Sequence, residues 1–138
     1  MLTDDIVAIR SLADLYSDAA NRRDVKAMAA VYAEDGELVA FGQAYRGRGT
    51  IEQVFVETME RLEFVNQICG AGVIQVDGDR ATSRWTVTEF TKRPDNEKLQ
   101  LFLGTYEDEL VRTPQGWRFA RRMLSRRAQT RFEGVLRR

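Results

Sequence analysis

The chain has 138 residues, with 21 basic and 21 acidic side chains, one cysteine and no histidine. Zero net charge excludes a global field that would gather nucleic acid or an anionic membrane, and a single cysteine excludes an intrachain disulfide. The missing histidine removes both the commonest neutral-pH base and the commonest zinc ligand.

Thr3 or Asp4 is positioned to cap a helix whose apolar residues Ile6, Ile9, Leu12, Ala13, Tyr16, Ala19 and Ala20 recur at three- and four-residue steps. Asn21-Arg22-Arg23 breaks it, and Asp24 caps a second short helix through Met28, Val31 and Tyr32. Glu34-Asp35-Gly36 reads as a turn, Leu38–Phe41 as a short strand and Ala44–Arg46 as another. Gly47-Arg48-Gly49-Thr50 opens a third helix, with Thr50 as N-cap and Ile51, Val54, Phe55, Thr58, Met59 and Leu62 on one stripe. From Phe64 the period becomes two. Phe64–Val76, Arg80–Lys92, Leu99–Arg112 and Trp117–Thr130 read as long strands, separated by turns at Asp77-Gly78-Asp79, Pro94-Asp95-Asn96 and Thr113-Pro114-Gln115-Gly116. Gly70-Ala71-Gly72 marks a bulge in the first of them, and the last half-dozen residues read as a loose tail.

Helices in front and a meander of long strands behind argue an α+β fold. The expected form is a cone-shaped, curved antiparallel sheet, a half-barrel wrapped around three N-terminal helices, with an internal pocket for a small molecule. The length suits one domain over residues 1–138. The N-terminus lacks the basic and apolar regions of a signal peptide, and no apolar run approaches the ~20 residues of a membrane span. With a lone cysteine, these features predict a cytoplasmic protein. The arginines of the C-terminal stretch read as a solvated or interface face rather than an RNA site.

Six motifs then fall in order: Tyr16 ahead of the helix break; Val31-Tyr32-Ala33-Glu34-Asp35-Gly36; Tyr45-Arg46-Gly47-Arg48 with Ile51; Val76-Asp77-Gly78-Asp79-Arg80-Ala81; Gly104-Thr105-Tyr106-Glu107-Asp108-Glu109-Leu110; and Gly116-Trp117-Arg118-Phe119-Ala120-Arg121-Arg122. Together they resemble the polyketide cyclase/SnoaL-like branch of the nuclear transport factor 2-like superfamily. The resemblance implies cofactor-free acid–base chemistry on a hydrophobic small molecule, and self-association as a dimer or trimer. It implies no cofactor, while the composition leads us to expect no metal, nucleic-acid or membrane partner. Several dehydratase-like relatives use an Asp at the end of the first helix and a His on the first long strand. Those positions fall on Asn21 and on Gln67 or its neighbour Asn66, amides that orient but do not shuttle protons at neutral pH.

Strand alternation nominates what remains. Ala81, Ser83, Trp85, Val87 and Glu89 share the face expected to be concave, as do Phe102, Gly104, Tyr106, Asp108 and Leu110 on the next strand. Trp117, Phe119 and Arg121 share a face on the last strand, unless a bulge switches the register to Arg122. Glu89 and then Asp108 are the candidate proton carriers, with Tyr45 as a third catalytic candidate. Glu89 and Asp108 can equally be ion pairs with Arg84, Arg121 or Arg122. Tyr16, Asn21, Arg46, Asn66, Gln67, Trp85, Tyr106, Trp117 and Arg121 are the candidate substrate-binding residues. Cys69 reads as filler rather than nucleophile, and Asp24 and Asp35 as cap and turn residues. The preferred reading is a lyase, dehydratase or isomerase acting on an aromatic or polycyclic molecule. The alternative is a non-catalytic small-molecule-binding or assembly protein of the same fold; a dioxygenase beta subunit is a third reading, disfavoured by the short chain.

Overall fold

The computed structural model describes residues 1–133, 136 and 137. In chain order it contains α1 (Leu2–Asn21), α2 (Val25–Ala30), β1 (Tyr32–Ala40), β2 (Gln43–Arg46), α3 (Arg48–Glu60), β3 (Phe64–Asp77), β4 (Arg80–Lys92), β5 (Leu99–Thr113) and β6 (Gly116–Phe132). The three helices lie against one curved, unclosed sheet of six strands in the order β2-β1-β6-β5-β4-β3, a mixed α+β fold as the pattern predicts. Among the described residues no helix is long and apolar enough to cross a membrane.

The apolar stripe of α1 is the buried one: Ile9, Leu12, Ala13, Tyr16, Ala19 and Ala20 all face inward. They pack on β3 and β6, while α3 packs on β1 and β2. Ile9, Tyr32, Ile51 and Phe119 are fully buried at the centre of the core. Each such side chain contributes about 1.5–3 kcal/mol relative to exposure.

Four local expectations change. Helix α1 begins at Leu2 with no side-chain cap, so Thr3 and Asp4 sit inside its first turn. Helix α3 begins at Arg48 on Gly47 rather than on Thr50, because Gly47 at φ +93° turns the chain into the helix two residues earlier. Helix α2, capped by Asp24 as expected, stops at Ala30, and Tyr32 already belongs to β1. The segment Glu34-Asp35-Gly36 is thus an irregular part of β1 rather than a turn; its register shifts between Tyr32 and Glu37. The sheet is also not wholly antiparallel. Strand β1 runs parallel to β6, because the chain reaches it from the helical layer rather than through a hairpin. The predicted tail includes Gly134, Val135 and Arg138, which lie outside the described residues, and β6 runs on to Phe132.

Two bulges aim the side chains that matter. On β3, Ala71 and Gly72 together oppose Trp85, with Ala71 at φ +49°. A Cβ on Gly72 would lie 2.1 Å from the indole, so only glycine lets the ring cover that backbone. On β6, Ala120 is the extra residue between Phe119 (opposite Leu110) and Arg121 (opposite Glu109). The alternation therefore switches, and Phe119 and Arg122 both point into the core.

Candidate active site

A cavity of about 780 Å³ lies between the helices and the concave sheet. That volume falls in the range of small-molecule sites. Its apolar wall comes from Phe55 and Met59 of α3, Met28 of α2, Phe102 of β5 and Leu124 of β6, and Tyr16 and Tyr106 meet edge-to-face beside it, with centroids 6.0 Å apart. A second depression, of about 360 Å³, includes the charged residues Arg84, Glu107, Glu109 and Arg121 of the outer face and lacks an aromatic wall.

Glu89 enters the cavity from β4. Gln67, its register partner on β3, donates from Nε2 to Glu89 Oε2 at 3.0 Å. The amide is oriented in turn by Ser17 of α1, whose hydroxyl donates to Gln67 Oε1 at 3.0 Å. Among the described residues nothing donates to Glu89 Oε1 and no cation pairs with the carboxylate. Burial pushes the Glu89 carboxyl above its ordinary pKa, and the Gln67 hydrogen bond offsets only part of that. A carboxyl so placed exchanges protons nearer neutral pH than a solvated one.

Asp108 faces the opposite situation. Arg122 donates from Nε to Oδ1 at 2.8 Å and from Nη2 to Oδ2 at 3.2 Å, and Ser83 Oγ donates to Oδ2 at 2.9 Å. Both side chains of the ion pair are fully buried. The Arg122 guanidinium also lies 3.8 Å from the Tyr106 ring centroid, 4.1 Å from Phe119 and 4.9 Å from Tyr16. Burial alone would lower the pKa of Arg122, but the adjacent Asp108 raises it further, so the cation persists at any working pH. Asp108 is therefore a counter-ion inside the core, as its ion-pair reading has it, and not a free base.

The remaining candidates divide cleanly. Tyr16, Gln67 and Tyr106 line the cavity. Burial pushes the Tyr16 hydroxyl up to about 12 and that of Tyr106 well above its ordinary value, so both are neutral donors. Tyr45 also lines the cavity, but its hydroxyl donates to Gln43 Oε1 at 2.6 Å rather than toward Glu89. Asn21 is committed elsewhere: its Oδ1 accepts from the Gln67 backbone N–H at 2.6 Å and its Nδ2 donates to the Gln67 carbonyl at 3.0 Å. It ties the end of α1 to β3 and does not line this cavity. Asn66 alternates to the other face of β3.

Arg46 and Arg121 both turn outward onto Glu37, at 2.5 Å and 3.5 Å; the Ala120 bulge is what sends Arg121 there. Trp85 is on the concave side but is core, not cavity wall, donating from Nε1 to Ser83 Oγ at 3.0 Å. Trp117 is a clamp, its Nε1 donating to Asp5 Oδ1 at 3.1 Å while Arg112 stacks 4.6 Å from its ring centroid. Burial raises the Cys69 thiol, in keeping with filler. Sequence reasoning missed Ser17 and Thr91, and placed Phe102 on the inward face without counting it among the binding residues. Thr91 is signalled by the same alternation that exposes Glu89, and Ser17 by its place one helical turn before Asn21.

An uncharacterized protein of Mycobacterium tuberculosis is 29% identical over 122 residues, spanning 86% of this chain and 83% of that protein. A hexachlorocyclohexane dehydrochlorinase of Novosphingobium barchaimii superposes with a TM-score of 0.88 at 16% identity, over 96% of this chain and 93% of that one. A candidate scytalone dehydratase of Novosphingobium aromaticivorans superposes with a TM-score of 0.86 at 20% identity, over 96% and 90%. At these identities the superpositions establish the nuclear transport factor 2-like fold. The profile of the SnoaL-like domain matches residues 2–123, nearly the whole chain, and the chain belongs to that family.

Proposed function

We propose that this chain is a lyase, dehydratase or isomerase that needs no cofactor and moves a proton on a hydrophobic aromatic or polycyclic molecule, with Glu89 as the base. One observation carries the reading: Glu89 is a half-buried carboxylate facing an aromatic-walled cavity, held by an amide and left without a cation among the described residues. In the ionised state Glu89 Oε1 accepts a proton from substrate carbon, while Gln67 Nε2 fixes the other oxygen. Charge that develops on a substrate oxygen is met by the neutral phenols of Tyr16 and Tyr106. The proton then returns from Glu89 to a leaving hydroxyl or to another carbon, giving elimination or isomerisation. The dehydrochlorinase and the candidate scytalone dehydratase that share the fold have eliminations in their names, which is consistent with this class.

The test is a panel of aromatic and polycyclic hydroxy-, halo- and keto-compounds, followed by NMR in deuterium oxide with the wild-type chain and Glu89→Gln. The reading expects product or solvent deuterium with the wild type and neither with the variant. Equal incorporation by both would remove Glu89 from the chemistry. The competing reading, a pocket that only binds, is favoured by the engagement of Asn21 with the Gln67 backbone. It expects binding without deuterium incorporation by either protein.

A further inference from the structure

The mouth of the cavity carries two arginines that the fold itself does not use. Arg61 follows the last residue of α3 and Arg93 follows the end of β4, and both line the cavity. The two segments are joined directly, since Glu63 N–H donates to the Lys92 carbonyl at 2.7 Å. Cations at a helix C-terminus ordinarily meet the free carbonyls there. Here that role belongs to Arg23, whose Nη2 donates to the Met59 carbonyl at 2.5 Å and the Leu62 carbonyl at 2.8 Å. The neighbouring carboxylate Glu63 is paired with Lys92. Glu57, one turn before Arg61 and also at the cavity, accepts from Gln53 at 3.5 Å and makes no ion pair with Arg61. Among the described residues the side chains of Arg61 and Arg93 thus have no carboxylate or carbonyl partner.

Glu89 lies deeper in the same cavity wall. A ligand anion is disfavoured next to a half-buried carboxylate and favoured next to unpaired guanidinium groups. Glu89 and Arg93 are four residues apart along one chain, about 13 Å at the rise of a strand, and an arginine side chain reaches back over part of that span. A molecule of two fused rings bridges the rest.

We propose that the ligand of this cavity is an aromatic acid: its ring system fills the apolar interior beside Glu89, and its carboxylate sits at the mouth between Arg61 and Arg93. The inference deepens the reading above and rests on its cavity being the ligand site; it does not depend on Glu89 being the base. Both arginines are solvent-exposed, so replacing them leaves the core untouched.

The experiment is calorimetric titration of the full chain with 2-naphthoate and with its neutral isostere 2-naphthamide. The wild type is expected to prefer the acid about tenfold, a preference that shrinks as salt is raised. The double variant Arg61→Met/Arg93→Met should bind both probes alike, at the affinity the wild type has for the amide. Glu89→Gln should keep the preference for the acid. Equal binding of the two probes by the wild type, binding of neither, or a preference that survives the double variant would each overturn the proposal. Deuterium chemistry that persists unchanged in Glu89→Gln, with the acid preference intact, would instead count against the base assignment alone.

Discussion

Gln67 and Glu89 face each other across β3 and β4, and the amide nitrogen lies 3.0 Å from the carboxylate oxygen. An amide donor is a weak counterweight to burial, so the pair leaves Glu89 with a raised pKa. That relationship links reactivity to stability. A group whose folded pKa exceeds its unfolded one favours folding fully below the unfolded value, near 4.5, and loses that contribution as pH rises through the folded value. Wild-type stability should therefore fall from mildly acidic to neutral pH by the share Glu89 carries. Glu89→Gln removes the titration. Its melting temperature at pH 7 should be equal to or above that of the wild type, and the gap between them should close toward pH 4. A variant that is less stable at pH 7 than at pH 4 relative to wild type would contradict this.

The bond from Asn21 to the Gln67 backbone predicts the effect of restoring an acid there. In Asn21→Asp the donor to the Gln67 carbonyl is lost and an oxygen faces that carbonyl, at the C-terminal end of α1 where negative charge is disfavoured. A loss of about 1–3 kcal/mol is expected in urea denaturation. An unchanged midpoint would mean that Asn21 is not the tie between α1 and β3.

Arg122 and Asp108 should behave as one unit. Arg122→Met strands Asp108 in the core and should cost about 3–5 kcal/mol, a large share of a domain's stability. The double variant Arg122→Met/Asp108→Leu should recover much of that loss. Equal losses in the single and double variants would show that the stacking on Tyr106 and Phe119, not the charge, is what holds the strands.

Phe41 sits at the cavity mouth at φ +50°, 66% exposed, edge-on to Phe102 at 5.9 Å. A bulky residue is strained in that conformation. Comparing Phe41→Gly with Phe41→Ala separates strain from packing, because both remove the ring and only glycine relieves the backbone. The glycine variant should be the more stable by about 1 kcal/mol. Both should bind an aromatic ligand more weakly than the wild type, read by titration.

The inward faces of β4 and β5 were legible because alternation over a long strand survives any choice of ends: Ser83, Trp85, Glu89, Tyr106 and Asp108 all point as the pattern requires. The choice between Arg121 and the alternative Arg122 was not legible, because one bulged alanine reverses the parity beyond it and nothing in Ala120 announces that. The parallel entry of β1 and the early start of α3 depend on tertiary docking and on one glycine, which local propensity does not weigh. The amides at Asn21 and Gln67 were legible as residues but not as partners. Their meeting depends on α1 lying on β3.

The proton transfer proposed for Glu89 has a kinetic signature. With any compound the chain turns over, the most direct measurement is kcat/KM against pH for the wild type and Glu89→Gln. An acidic limb is expected in the wild type, moved upward from the ordinary carboxyl value by the desolvation of Glu89. The variant is expected to be slower by about 10²–10⁴ and to lack that limb. A variant that retains both the rate and the limb would contradict the assignment of Glu89 as the base.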